Sequence, residues 1–234
     1  MSIDDERAGA TYPPGMVRRL LRTDLVTPKT REVLDGRLTA HAATAKPEPR
    51  FFSSAEFRTL ESACTRLIPQ PDRERPIDLA GAIDQRLAEG KTKGWRYDSM
   101  PPDGEAYRIG LRGLDETARA MFGSERDVAF DALEHLQQDA VLAAVQRGEA
   151  QGLAWQTMPA VTFLEELLTE AVECYYSHPL AEDEIGYAGF ADAHGWQQIG
   201  LDSLAPFEPR ALGEAAAEVS TPKASDPNGV EVDG

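Results

Sequence analysis

The amino-acid sequence predicts an all-α protein, a single compact helical bundle with an extended N-terminal arm and a C-terminal tail. Apolar residues recur at intervals of three and four in five separate segments, which is the spacing of one helix face. No run alternates β-branched and polar residues between turn dipeptides, so strands are not expected. The 234 residues suit one core of ordinary domain size. We expect an arm and linker over 1–50, a helical domain over 51–205 and a flexible or partner-covered tail over 206–234.

The charge balance argues against two classes of partner. The chain has 24 Lys and Arg against 40 Asp and Glu, a net charge of −16, which disfavours binding to nucleic-acid phosphate or anionic lipid. The longest apolar run, from Ala140 to Val145, is far shorter than the roughly 18 residues of a membrane-spanning helix. Nucleic acid and a membrane span are therefore not expected.

The N-terminal arm begins with a sequence that resembles a twin-arginine export signal, Arg18-Arg19. Charged residues from Arg22 onward interrupt the apolar stretch that such a signal needs, so the arm is expected to stay in the mature chain. The predicted localisation is cytoplasmic, with periplasmic export through a signal on a partner or an upstream start as the alternative. Pro47 and Pro49 disfavour helix and mark the linker to the domain.

Two helices are predicted directly after the linker. Ser53 followed by Glu56 forms a capping-box pattern, and Pro69 ends the first helix. The second has Pro76 in its first turn and Gly90 as a left-handed stop. Residues 91–104 are expected to form a loop that its aromatic residues hold against the body. The apolar stripes of the two helices are Phe57, Leu60, Cys64, Leu67 and Ile68 in the first, and Ile77, Ala80, Ile83 and Leu87 in the second.

Three further helices follow along the chain. One ends at Gly123, the next is expected to start at a Ser124 cap and to end near Gly148, and the last begins after Pro159 and ends at His178-Pro179. The last has the widest apolar face, which predicts a central position in the bundle. From Leu180 onward we expect a long structured loop. The stripes of the first two are Tyr107, Leu111, Leu114, Ala118 and Met121, and then Ala129, Leu133, Leu136, Ala140, Val141 and Ala144.

The sequence pattern assigns no catalytic or cofactor-binding residue. The chain has neither a glycine-rich nucleotide fingerprint nor a haem-attachment motif. Cys64 and Cys174 lie on apolar faces, where burial would raise the thiol pKa and suppress reactivity, although one disulfide between them stays open. His178 and His194 could hold a divalent metal with the acidic residues 182–184 if the loop folded back. The alternative is that His178 caps the last carbonyls of its helix and that the acidic residues are solvated.

Several short motifs together resemble the gluconate 2-dehydrogenase subunit 3 family, in order and spacing, over about residues 50–205. The stretch from Thr23 to Arg31 is also similar to the segment that precedes this domain in some relatives. The motifs are Phe52-Ser53 with Glu56 and Leu60, Arg66-Leu67-Ile68-Pro69, Gly113-Leu114-Asp115, Phe122-Gly123, Tyr175-Tyr176-Ser177-His178-Pro179, and Gly195-Trp196 with Ile199-Gly200.

This resemblance implies a non-catalytic small subunit without a cofactor of its own. Its partner would be a large FAD-dependent dehydrogenase of the glucose–methanol–choline type that oxidises a sugar, sugar acid or alcohol, with a cytochrome c as an electron acceptor in some complexes. A transient flavoprotein chaperone and a free-standing helical metalloenzyme are the alternatives. Residues 180–184 replace a glycine-rich turn common in relatives. The partner-interface residues expected from the motifs are Tyr176, His178, Pro179 and Trp196.

Overall fold

A computed structural model describes residues 15–43, 48–94, 97–123, 128–187, 189–190, 200–201 and 203–205. Within these ranges the chain is helical and contains no strand, which confirms the all-α prediction. None of the helices there combines the length and apolar character that a bilayer-spanning segment needs. The helices are α1 (Met16–Leu20), α2 (Pro28–Ala42), α3 (Ser54–Leu67), α4 (Leu79–Ala88), α5 (Asp103–Phe122), α6 (His135–Gln146), α7 (Ala160–Tyr176) and α8 (Pro179–Ile185).

The start of α3 confirms the predicted capping box. The Ser53 hydroxyl accepts from the Glu56 N–H, and the Glu56 carboxylate accepts from the Ser53 N–H at 2.9 Å. The buried Asp84 carboxylate of α4 accepts the N–H groups of residues 50, 51 and 52 at 2.7–3.0 Å. The backbone leading into α3 is thus tied to α4, because buried N–H groups require acceptors.

Helix α4 begins later than Pro76 predicts. Asp78 is the N-cap, and its carboxylate accepts the Gly81 N–H at 3.0 Å, so the cap side chain rather than the proline sets the start. Gly90 has φ 65° beyond the end of the helix, as predicted. Trp95 lies outside the described residues, and Tyr97 is about half exposed. Met100 of the same loop is buried.

The helix predicted from a Ser124 cap starts ten residues later than expected. Ser124 is outside the described residues, residues 130–132 form one 3₁₀ turn, and α6 begins at His135 with Glu134 as its cap. The turn exists because Phe130 is fully buried while its N–H donates to Asp115 at 2.9 Å and its carbonyl accepts from Gln138 at 3.1 Å. These contacts from distant residues override the local apolar spacing.

The main core lies between α3, α4, α5, α6 and α7, and α7 contacts each of the other four as well as α8. This confirms the predicted central position of the helix after Pro159. Helix α5 approaches α7 closely at Gly110, where an added Cβ would stand 2.2 Å from the Phe163 ring. The largest fully buried side chains of this core are Leu60, Ile83, Leu111, Leu114, Phe130, Met158, Phe163, Leu167 and Val141.

The N-terminal arm contains two helices that the sequence analysis did not assign. Thr27 caps α2 and Pro28 occupies its first position. Helix α2 has one buried residue, Leu34, so its sequence shows no apolar stripe. We call residues 16–42 the clasp. It forms a second, smaller core with Phe190: Met16, Val17, Leu20, Leu21, Val26 and Leu34.

Candidate functional site

The family-like motif at Tyr175–Pro179 forms the corner between α7 and α8. The chain continues from Pro179 as a helix to Ile185, where a loop was predicted. The His178 Nδ1 accepts the Leu180 N–H at 3.2 Å, and Gly186 takes a left-handed φ of 64° after the last turn. His178 therefore caps the start of α8. One interpretation of the sequence had placed it as a cap at the end of α7, and that interpretation is wrong.

His178 is enclosed by the clasp. The residue is 7% exposed, and its ring lies edge-on to that of His41 in α2, with the ring centroids 5.4 Å apart. Burial, and secondarily the neighbouring His41, lowers the pKa of His178 to about 4, so the ring is neutral at pH 7. Burial also lowers the pKa of His41. Arg37 of α2 donates to the Ser177 carbonyl and closes the same corner.

Tyr175 joins α7 to α8. Its hydroxyl donates to the Glu184 carboxylate at 2.7 Å, and Arg73 donates to the same carboxylate at 2.5 Å. The guanidinium of Arg73 also lies 5.8 Å from the Tyr175 ring centre. Tyr175 therefore has a structural role, which is to position α8 against α7.

Tyr176 points outward beside Tyr175, with the two rings edge-on at 5.0 Å. It is 47% exposed. Leu168 and Val172 precede it by eight and four residues on the same face of α7, and Leu168 is also exposed. We call Leu168, Val172 and Tyr176 the α7 ridge. An apolar ridge that a helix leaves in solvent has the form of a protein-binding surface.

Glu182 is a buried acid that sequence reasoning did not single out. Its residue is 6% exposed, and its Oε2 has no hydrogen-bond partner. Burial raises the pKa of Glu182 to about 7, and the Arg37 charge opposes this change. The i+4 spacing from His178 is the one sequence signal that places both residues on the same side of α8.

The sequence profile of gluconate 2-dehydrogenase subunit 3 matches residues 54–200, well over half of the chain. The chain belongs to this family. The family takes its name from a subunit of a gluconate dehydrogenase complex, which indicates that its members have a partner subunit. Neither the search of curated proteins nor that of solved structures gives a match.

The family match covers α3 to α8 and leaves the clasp outside. It includes the α7 ridge, the Tyr175–Pro179 corner and Glu182. Of the four expected interface residues, Tyr176 is exposed, whereas His178 and Pro179 are buried, and His178 lies against His41 of the clasp. Trp196 lies outside the described residues.

A cavity of about 310 Å³ separates the clasp from the bundle near this corner. Arg37 and His41 line its clasp side, and Gln85, Cys174 and His178 line the bundle side. Cys64 and Cys174 are both free thiols. Burial raises the pKa of Cys64 strongly and that of Cys174 to about 11, as the apolar positions predicted.

The alternative metal site at His178 and His194 is incomplete in the described part of the chain. His194 lies outside it, and the described residues contain no group of three or more His, Cys, Asp or Glu side chains that could hold a metal ion. The Asp183 carboxylate accepts the Val17 N–H of α1 at 2.5 Å, and Glu184 is bound by Tyr175 and Arg73. Asp183 and Glu184 therefore tie segments of the chain together, and the Glu184 side chain stays about half exposed to solvent.

Proposed function

We propose that this chain is a non-catalytic small subunit that binds and stabilises a large FAD-dependent dehydrogenase of the glucose–methanol–choline type. The flavoprotein oxidises a sugar, sugar acid or alcohol, and this chain supports its folding or maturation. The FAD belongs to the partner, and the small subunit supplies contact surface. The observation that carries the proposal is the subunit 3 family match over residues 54–200.

The α7 ridge is consistent with this role. Tyr176 combines a large apolar ring with a hydroxyl, and tyrosine is enriched among residues that dominate binding energy at interfaces. It lies in the matched region and is held by Tyr175, whose own position is fixed by Glu184. The acidic Glu165 and Glu173 are exposed on the same helix, which favours a partner surface with basic residues around an apolar centre.

The test is affinity purification of the full chain from its host, with mass spectrometry and an absorption spectrum of the eluate. A stoichiometric flavoprotein with a flavin spectrum is the expected result. Tyr176→Ala should reduce recovery of that flavoprotein at least tenfold with unchanged circular dichroism, because an interface anchor is removed. Leu136→Ala, at a residue 83% exposed on α6, is the matched control. A wild-type chain that elutes without any flavoprotein would contradict a permanent subunit.

A further inference from the structure

The clasp is held by a core of its own. Its buried apolar side chains pack with one another and with Phe190, and they form a cluster separate from the main core. Helices α1 and α2 both contact α8, which in turn packs on α7 of the bundle. Segments with few buried apolar contacts open at lower free energy than the rest of a domain. The clasp therefore has the construction of a unit that can open while the bundle stays folded.

Polar ties between the clasp and the bundle are concentrated at a few points. Asp183 accepts the Val17 N–H at 2.5 Å, at the start of α1. Arg37 donates to the Ser177 carbonyl. Arg75 donates to the carbonyls of His41 and Ala43, at the end of α2, at 3.0 and 3.1 Å. Backbone groups provide one side of each tie, so another segment of suitable charge could form equivalent contacts.

The closed clasp leaves one strong acceptor unused. Glu182 is 94% buried, since 6% of its surface is exposed, and its Oε2 accepts no hydrogen bond. An unsatisfied buried carboxylate oxygen is unfavourable, and a donor that reached it would stabilise the surface. Arg37 lies close enough to act on its charge but is bonded to Ser177. The surface beneath the clasp thus offers a hydrogen-bond acceptor, the Glu182 Oε2 atom, to which no group of the clasp donates.

Charge identifies the kind of segment that this surface binds. Residues 15–43 carry six Lys or Arg and three Asp or Glu, a net charge of +3, whereas α8 contributes Glu182, Asp183 and Glu184. The α8 surface therefore holds a basic segment in the free chain. The family match begins at residue 54, so the clasp lies outside it and the surface beneath lies inside it.

We propose that the clasp opens as a unit and that the α8 face beneath it, formed by His178, Pro179 and Glu182, is a docking surface for a basic segment of the flavoprotein partner. The clasp competes for this face in the free chain, and a basic side chain of the partner satisfies Glu182. This inference rests on the proposed function for the identity of the partner. Opening of the clasp is independent of that identity.

Hydrogen exchange with mass spectrometry tests both parts on the full chain. In the free wild type, residues 16–42 should exchange at least tenfold faster than α5 and α7, because they open without the bundle. In the purified complex, the backbone of 16–42 should exchange faster still while α8 becomes more protected. A clasp that gains protection in the complex, or that opens only together with α5, would overturn the proposal.

Two substitutions in the clasp separate competition from direct binding. Leu34→Ala removes a buried side chain of the small core and should raise the affinity for the purified flavoprotein about tenfold, because more of the chain has the α8 face uncovered. Val33→Ala, at the adjacent exposed position, should leave the affinity unchanged. Weaker binding by Leu34→Ala would show that the clasp is part of the interface and would refute competition.

Glu182→Gln tests the acceptor itself. It keeps the size of the side chain but loses the charge, so the affinity should fall at least tenfold while the flavoprotein still associates through α7. Glu149→Gln, in the exposed turn after α6, is the matched control. Unchanged affinity in Glu182→Gln refutes docking on α8 but leaves the proposed function intact. Absence of any complex with the wild type refutes both.

Discussion

The Tyr107 hydroxyl donates a hydrogen bond to the Glu170 carboxylate at 2.6 Å and so joins α5 to α7 through a buried charge. Arg86 of α4 donates to the same carboxylate at 2.5 and 2.8 Å. Burial, followed by the Glu170 charge, raises the pKa of Tyr107 far above its ordinary value, which keeps the hydroxyl protonated as a donor. Three helices of the core thus meet at one carboxylate.

Glu170→Gln should lower the free energy of unfolding by about 2–4 kcal/mol, because Arg86 keeps its burial but loses a charged partner. Tyr107→Phe should cost about 1 kcal/mol, since it removes one hydrogen bond. Urea denaturation followed by circular dichroism measures both. Glu149→Gln breaks the exposed pair with Arg147 and should cost less than about 1 kcal/mol. Equal effects of Glu170→Gln and Glu149→Gln would refute a stabilising role for the buried network.

Gly110→Ala should destabilise the fold although alanine is the better helix former. The added Cβ would lie 2.2 Å from the Phe163 ring, so α5 and α7 would have to separate. The expected loss is about 1–3 kcal/mol in urea denaturation. Gly36→Ala is the matched substitution in α2, where nothing lies within 4 Å of the new atom, and it should stabilise α2 by about 0.5–1 kcal/mol. A stabilised Gly110→Ala protein would contradict the close helix approach.

His178 and Glu182 should give opposite pH dependences. The pKa of His178 falls to about 4, so its contribution is present above about pH 6.5 and is lost as the pH falls towards 4. The pKa of Glu182 rises to about 7, so its contribution is greatest below about pH 4.5 and is lost as the pH rises through 7. Between about pH 4.5 and pH 6.5, the two effects on the free energy of unfolding therefore oppose each other in the wild type.

Single variants should reveal each effect. Relative to the wild type, Glu182→Gln should lose about 1–2 kcal/mol of stability as the pH falls from 6.5 to 4.5, because the His178 dependence is no longer offset. His178→Asn should lose a similar amount, about 1–2 kcal/mol, as the pH rises over the same interval. Denaturation curves at four pH values measure the trends. Parallel trends in the two variants would contradict the opposite pKa changes.

The two thiols should be slow to react in the folded chain. Burial raises the pKa of Cys174 to about 11 and that of Cys64 further, so little thiolate exists at pH 8. Alkylation by iodoacetamide should be about 100-fold slower or more in the folded chain than in urea, with the half-buried Cys174 reacting first. The Cys174→Ser variant assigns the order. Rapid labelling of native Cys64 would show that α3 opens at that position.

The sequence predicted the elements whose signals are local. Ser53 and Glu56 are three residues apart and cap α3 by themselves, and the apolar face after Pro159 is long enough to specify α7. The clasp was not predicted because α2 buries only Leu34. Helix α8 was also missed, although Pro179 and Gly186 flank it in positions that favour a helix, because its acidic residues suggested a loop.

For the candidate site, the motif in the sequence identified Tyr176, His178 and Pro179. It did not predict that Tyr176 is exposed to solvent while the other two are buried. Which of them faces solvent depends on α1 and α2, which pack onto the corner from more than 130 residues away. The sequence by itself determined the helical class, the family and the bundle helices, because periodicity and caps act within a few residues. Tertiary structure alone decided that Tyr176 is open, that His178 is covered and that Glu182 is buried without a partner, because burial and charge depend on which segments meet in space.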